Sequence, residues 1–247
     1  PWLVRVAVNL ARDRLRRRKR EPYVGPWLPA PIDTGEEAAD DIDPEQRYGL
    51  LESVTFAFLM ACEALTPRQR AVLLLRDVLD YSVEETARAL ALSTPNVKTT
   101  HHRARAAMEK YDAARRPPTR GVQEKTRAAL ERFMLALTSG NVASVEAELT
   151  PSAITINDTA GDYRAALKVV VGSSRVARFY LGLMKKAPPS RLSIRSLNGL
   201  PALVTELDQA SPGVAPRLVF RCDLGDGDLI AQVHVVAARA KLHAIPA

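Results

Sequence analysis

The sequence predicts a multi-domain protein: an all-α unit containing a helix-turn-helix, followed by an α+β domain built on a curved antiparallel sheet. Three observations predict it. Between residues 65 and 115, short capped helical segments succeed one another with gaps of only a few residues. The stretch "ARRPPTRG" (114–121) then breaks helix twice with proline and closes on glycine. Beyond it, alternating apolar segments flank the pair Asn198-Gly199, the strongest short-range hairpin signal.

With 247 residues, the chain has room for two modest domains, each with its own core. A hydrophobic fraction of 47% argues against disorder as the dominant state. The sequence shows no apolar run long enough for a membrane span and no basic-then-apolar leader. Cys62 and Cys222 stand alone, without CxxC spacing, so neither a disulfide framework nor a metal site is expected, and a reducing cytoplasm suits them. No cofactor is expected. The chain opens on Pro1 inside a helical pattern, which reads as a fragment.

The net charge of +7 is unevenly placed. Residues 1–20 hold eight bases and one acid, residues 21–63 ten acids and one base, and residues 64–120 eleven bases and six acids. Two basic blocks joined by an acidic stretch suggest contact with a polyanion at two places.

Taken in order, "PWLVRVAVNLARDRLRRRKR" puts Leu3, Ala7, Leu10 and Ala11 on one helical face and Arg5, Asn9, Arg12 and Arg16 on the other. Four prolines in "EPYVGPWLPAP" exclude a regular helix or a central strand. The acidic "IDTGEEAADDIDPEQ" reads as an extended, mobile tether. Helix resumes near Pro44 or Glu45. Thr66 then caps a helix with Pro67 at its first position, and Ser82 with Glu85 forms a capping box. Thr94 is expected to cap a third helix that carries Pro95 in its first turn. The gap of about three residues before it, Leu92 to Thr94, reads as a helix-turn-helix, whose second helix enters the DNA major groove. In the second domain, helices over about 122–138 and 141–149 and a helix after Gly172 accompany hairpins at "RLSIRSL-NG-LPALVTEL" and "PRLVFRCDL-GDGD-LIAQVHVVAA".

On the third helix, placing Val97 at 0° sets Ala104 and Met108 within about 20° of it and His101 at about 40°. That face packs. Pro95, Lys98, Thr99 and His102 point away, flanked by Arg103 and Arg105. Neighbouring histidines on a helix diverge by about 100°, so His101 and His102 cannot share a metal. His101 is expected to pack, and His102 to meet the groove. Lys98, Arg103 and Arg105 are candidates for phosphates, and Asn96, Thr99 and His102 for base edges.

These residues carry a resemblance. "LTPRQRAVLLLRDVLDYSVEETARALALSTPNVKTTHHRAR" resembles region four of a bacterial extracytoplasmic-function sigma factor of the sigma-70 family, the unit that reads the −35 promoter element. "WLVRVAVNLARDRLRRRKR" resembles the last helix of region two, which helps recognise the −10 element and would add Arg5, Arg12 and Arg16 to the DNA contacts. "YVGPWLPAP" resembles a linker of the subgroup that carries a SnoaL-like C-terminal extension, a cone of helix and curved sheet. Residues 122–247 fit that extension, best at "LNGLPAL". The helices of region two that would grip the polymerase are not found before Pro1. The subgroup's Asp-Gly-Gly-Gly-basic loop reads "NDTAGDYRAA" here, keeping Asp158 without the glycine run. Its Asn-Pro-Asp segment is replaced by "AARAKLHAIPA".

The resemblance divides the chain into the end of region two (1–20), a proline-rich and acidic linker (21–45), region four (46–115), a short linker (116–121) and the SnoaL-like domain (122–247). It implies a non-enzymatic, cytoplasmic protein whose partners are promoter DNA and the β and β′ subunits of RNA polymerase core, with the cone regulating sigma activity. The acidic linker would suit a basic channel that normally holds RNA. The rival class is a helix-turn-helix regulator whose cone senses a small molecule or, as an isomerase or cyclase, transforms one. For that class Asp158, Tyr163, Asp223 and His234 are the available polar groups. Asp158, Tyr163 and His234 are the candidates for ligand or regulatory contact, and self-association through the cone is a further expectation.

Overall fold

Side-chain caps determine where most of the described helices of the first unit begin. In the computed structural model, residues 6, 7, 9–11, 23–35, 49–208 and 210–245 are described. They fall into two compact units, Pro1–Pro22 with Asp40–Pro117, and Tyr23–Ala39 with Pro118–Ala247.

In the first unit, α1 (Leu50–Ser53) leads to α2 (Phe56–Cys62), where the Thr55 hydroxyl accepts from the Phe58 amide. The Thr66–Gln69 capping box starts α3 (Pro67–Leu73), with Pro67 in its first turn, where a missing N–H costs nothing. The helix continues as a π segment, Leu74–Val78. A second capping box, Ser82 with Glu85, starts α4 (Val83–Leu90). Hydrogen bonds from the Ser82 amide and hydroxyl hold the Glu85 carboxyl below its ordinary value. The left-handed Ala91 ends α4, and α5 (Thr94–Ala114) follows. Its cap is Ser93 rather than the expected Thr94, because Ser93 is the extended residue whose hydroxyl accepts from the Asn96 amide. The turn is therefore Ala91–Leu92–Ser93, one residue earlier than expected.

In the second unit, α6 (Arg120–Thr138) and α7 (Val142–Ala147) are capped by Thr119 and Asn141. They precede β1 (Leu149–Asp158), β2 (Val170–Val171), α8 (Ser173–Lys186), β3 (Arg191–Leu197), β4 (Leu200–Glu206), β5 (Arg217–Leu224), β6 (Ile230–Val236) and α9 (Arg239–Leu242). The six strands form one sheet in the order β2-β1-β6-β5-β4-β3. Both expected hairpins form. At the first, Asn198 and Gly199 take φ of 54° and 79°, the two positive values that a type I′ turn requires. The sheet is mixed rather than wholly antiparallel. After α6 and α7 the chain enters at β1, next to the last strand β6 and parallel to it. Register shifts at Leu149/Ile154 and Asp223/Leu224 bend the strands.

One sheet face packs on α6 and α8 through Leu130, Phe133, Val176, Tyr180, Leu203, Phe220, Val233 and Val235, all buried. Phe133, Tyr180 and Phe220 meet as a ring cluster with centroids 5.3–5.8 Å apart, within the core between the helices and the sheet. The Tyr180 hydroxyl pairs with Thr155 at 2.5 Å, and burial pushes its pKa up. The strap 23–35 runs from the outer face at Asp158 to the edge strand β3. Leu28, Pro29 and Pro31 are buried, and Asp33 forms a bridge with Leu197. Residues 32–35 of the acidic stretch are thus not a free tether; its remainder, 36–46, lies outside the described residues.

Candidate nucleic-acid interface

A helix that reads DNA needs one face anchored in its own domain and another left free. On α5 the anchored face is Val97, Ala104 and Met108, each fully buried. Val97 packs in a cluster with Val72, Leu75, Ala87 and Leu90, and Ala104 and Met108 in another with Phe58, Cys62, Leu65 and Leu73. All seven candidates on this helix, Pro95, Asn96, Lys98, Thr99, His102, Arg103 and Arg105, are exposed. Among the described residues none forms an ion pair with Lys98, Arg103 or Arg105, so three cations stand ready for an anionic partner. Arg5, Arg12 and Arg16 lie outside the described residues.

The two histidines separate as helix geometry requires. His102 is exposed, while His101 is part-buried with its Nε2 2.6 Å from Asp77 Oδ1. His101 therefore does more than pack: it is a polar contact to the π segment. Nothing in the sequence spacing marked Asp77, whose approach depends on that irregular turn. Among the described residues no group of three His, Cys, Asp or Glu could hold a metal ion.

In the second unit the candidates Asp158, Tyr163 and His234 do not converge on a pocket. Asp158 ends β1 with its side chain fully buried. Its carboxylate accepts from the Tyr23 hydroxyl, from the Leu28 amide at 2.8 Å and from Lys241 Nζ at 2.6 Å. Lys241 also donates to the Leu28 carbonyl and lies over the rings of Tyr23 and Trp27, 4.9 and 4.5 Å from their centroids. At the far end of the strap, Asn198 accepts from the Ile32 amide and donates to the Ala30 carbonyl, and Thr34 meets Ser196. Tyr163 accepts from Arg239 Nε at 3.0 Å, and the Arg239 amide donates to Asp162.

His234 does not face the helix-covered side of the sheet. It pairs across β5–β6 with Arg221, and both lie on the outer face, since the neighbouring Val233, Val235, Phe220 and Cys222 are the ones in the helix-facing core. Arg221 donates to His234 Nδ1 at 3.2 Å and to the Asp223 carboxylate. Burial, and then the Arg221 charge, lower the His234 pKa to about 4. Asp158 and Asp223 share that outer face, so neither carboxylate faces the helix-covered side of the sheet, where an isomerase would need its base. Sequence reasoning missed Lys241, Tyr23, Trp27 and Asn198 as partners of one another. Asn198 showed only its turn role, and the aromatic spacing of the strap was the one available signal.

Comparison with known proteins finds relatives along most of the chain. Residues 55–108 match the family model for sigma-70, region 4. The chain is 29% identical over 225 residues to the extracytoplasmic-function RNA polymerase sigma factor SigJ of Mycobacterium tuberculosis, spanning 88% of this chain and 70% of that protein. It is 38% identical over 124 residues to SigG of the same organism, spanning 44% of this chain and 34% of that protein. The crystal structure of SigJ superposes with a TM-score of 0.63 at 25% identity, covering 91% of this chain and 76% of that one.

Proposed function

We infer the work of this chain from its family: it is an extracytoplasmic-function sigma factor of the sigma-70 class, with region 4 and a SnoaL-like C-terminal domain. It is a transcription initiation factor and not an enzyme, and it binds RNA polymerase core and promoter DNA. Region 4 supplies recognition of the −35 element by laying α5 in the major groove. Pro95, Asn96, Lys98, Thr99, His102, Arg103 and Arg105 make the contacts, the cations to phosphate and the others to base edges. The observation that carries this assignment is the division of α5 into one fully buried face and one exposed, cationic, unpaired face. The basic residues Arg5, Arg12 and Arg16 contribute near the −10 element, and the β and β′ subunits are the polymerase surfaces engaged. The protein works in the cytoplasm, where polymerase is; no described helix is long and apolar enough to cross a membrane.

The SnoaL-like domain acts on the linker. Asp158, Lys241 and Asn198 hold the strap from both ends. Regulation by strap retention and release fits this better than catalysis or small-molecule sensing in the cone, because Asp158, Asp223 and His234 lie on the sheet face away from the helices. In vitro transcription with core polymerase tests both parts. Lys98→Ala should reduce initiation from a −35-dependent promoter, and Lys241→Met should change it without altering binding of a −35 duplex. Unchanged initiation in both variants would refute the assignment.

A further inference from the structure

The hydrogen bond between His101 and Asp77 occupies a particular place in the fold. The buried face of α5 is shared between two apolar clusters, Val97 in one and Ala104 with Met108 in the other. His101 stands four residues after Val97 and three before Ala104, at the seam between them. Asp77 sits opposite on the π segment, between Leu75 of the first cluster and Val78, which packs against the second. The π turn brings it there: the Leu79 amide bonds the Leu74 carbonyl, five residues back, and the Tyr81 amide bonds the Leu75 carbonyl, six back. Single π turns inside helices recur at functional sites. Both side chains are largely shielded, 17% exposed for His101 and 8% for Asp77.

Apolar packing is non-directional, so the anchored face of Val97, Ala104 and the flexible Met108 does not by itself single out one rotation of α5 to within a few degrees. One directional, charge-assisted hydrogen bond at the seam does. The rotation matters because side-chain tips lie roughly 5–6 Å from a helix axis, so a turn of about 15° moves them about 1.5 Å. That shift exceeds the whole range of good hydrogen-bond distances and would uncouple Asn96, Thr99 and His102 from base edges. Phosphate contacts by Lys98, Arg103 and Arg105 would survive, being long-ranged and carried on flexible stems.

We propose that Asp77, acting through His101, is a positioning residue for promoter recognition: the pair fixes the rotation of the recognition helix and so the base-reading register of region 4, without touching DNA. The proposal rests on α5 reading the −35 element.

The test uses the full chain and two duplexes, one recovered by selection from random DNA with the wild-type chain and core polymerase, and one scrambled. Asp77→Ala and His101→Leu should lower affinity for the selected duplex about tenfold, the order a charged hydrogen bond supplies, while binding to the scrambled duplex changes little. Asp77→Asn, whose amide oxygen still accepts, and His101→Gln, whose amide still donates, should restore most of the preference. A role confined to stability would lower the melting temperature yet leave the ratio of the two affinities unchanged, and that result overturns the proposal. So does an equal loss on both duplexes. Should Asp77→Ala fail to fold, the His101→Leu and His101→Gln pair decides, since leucine suits the apolar seam. Lys98→Ala is carried alongside: weakened binding to both duplexes there upholds α5 as the DNA-reading helix whatever the pair variants show.

Discussion

Lys241 and Asp158 form an ion pair across 83 residues of sequence, Nζ to Oδ2 at 2.6 Å, and the strap is held where they meet. Asp158 is fully buried and Lys241 nearly so. The pair is also hydrogen-bonded to the strap backbone, through the Leu28 amide and the Leu28 carbonyl. Removing one partner of such a pair leaves an uncompensated charge, at a cost of about 3–5 kcal/mol. Lys241→Met should therefore destabilise the second unit by that order in urea unfolding. It should also raise amide exchange at residues 23–35 well before exchange rises in β4–β6. Unchanged exchange in the strap would mean Asn198 and the buried prolines hold it alone.

Salt dependence separates phosphate contacts from the rest. If Lys98 and Arg103 each neutralise one phosphate, replacing either by Ala lowers affinity on every duplex and reduces the slope of log K against log salt by about 1. Equilibrium binding of the full chain at four or five salt concentrations measures this. A slope that stays constant would place those side chains off the DNA.

His234 gives a pH signature. Its folded pKa, lowered to about 4 by burial and the Arg221 charge, lies below its ordinary 6.5. Between those values the unfolded chain binds the extra proton, so stability contributed above pH 6.5 is lost as pH falls towards 4. A shift of that size corresponds to at most about 3 kcal/mol. His234→Gln should flatten the difference in unfolding free energy between pH 7 and pH 5 relative to the wild type. Parallel pH curves for the two chains would contradict the assignment. The Arg221 hydrogen bond to Nδ1 supplies the structural reason: the ring is held as an acceptor there.

Much of what depended on local chemistry was legible in the sequence, although the cap of α5 fell at Ser93 rather than Thr94. Thr66, Ser82 and Glu85 announce helix starts because capping involves residues three apart. Asn198-Gly199 announces a hairpin because both residues must take positive φ. The two faces of α5 followed from a 100° step alone. What depended on long-range pairing was not legible. Nothing in the sequence says that Asp158 faces Lys241 or that β1 runs parallel to β6. Alternation in β6 gives two faces without saying which is inward, so the sequence left the side of His234 open. Asp77 was missed for a related reason: a π turn shifts the phase of every residue after it, and the sequence carried no sign of the shift.

Glu52 offers a last prediction, on the first unit. Its side chain is 1% exposed, and one carboxylate oxygen accepts from the Tyr111 hydroxyl at 2.8 Å with Arg115 Nε 3.7 Å away. The other oxygen, Oε2, is buried without a hydrogen bond. This acid ties α1 to the end of α5, an arrangement that is costly to break halfway and cheap to remove whole. Tyr111→Phe strips the carboxylate of its short hydrogen bond and should cost about 1–3 kcal/mol. The double change Glu52→Met with Tyr111→Phe takes the buried charge away too, while Arg115, about 30% exposed, can turn to water. The double variant should therefore be more stable than Tyr111→Phe alone in thermal unfolding. If the two changes instead add as independent losses, Glu52 contributes through packing rather than through this contact.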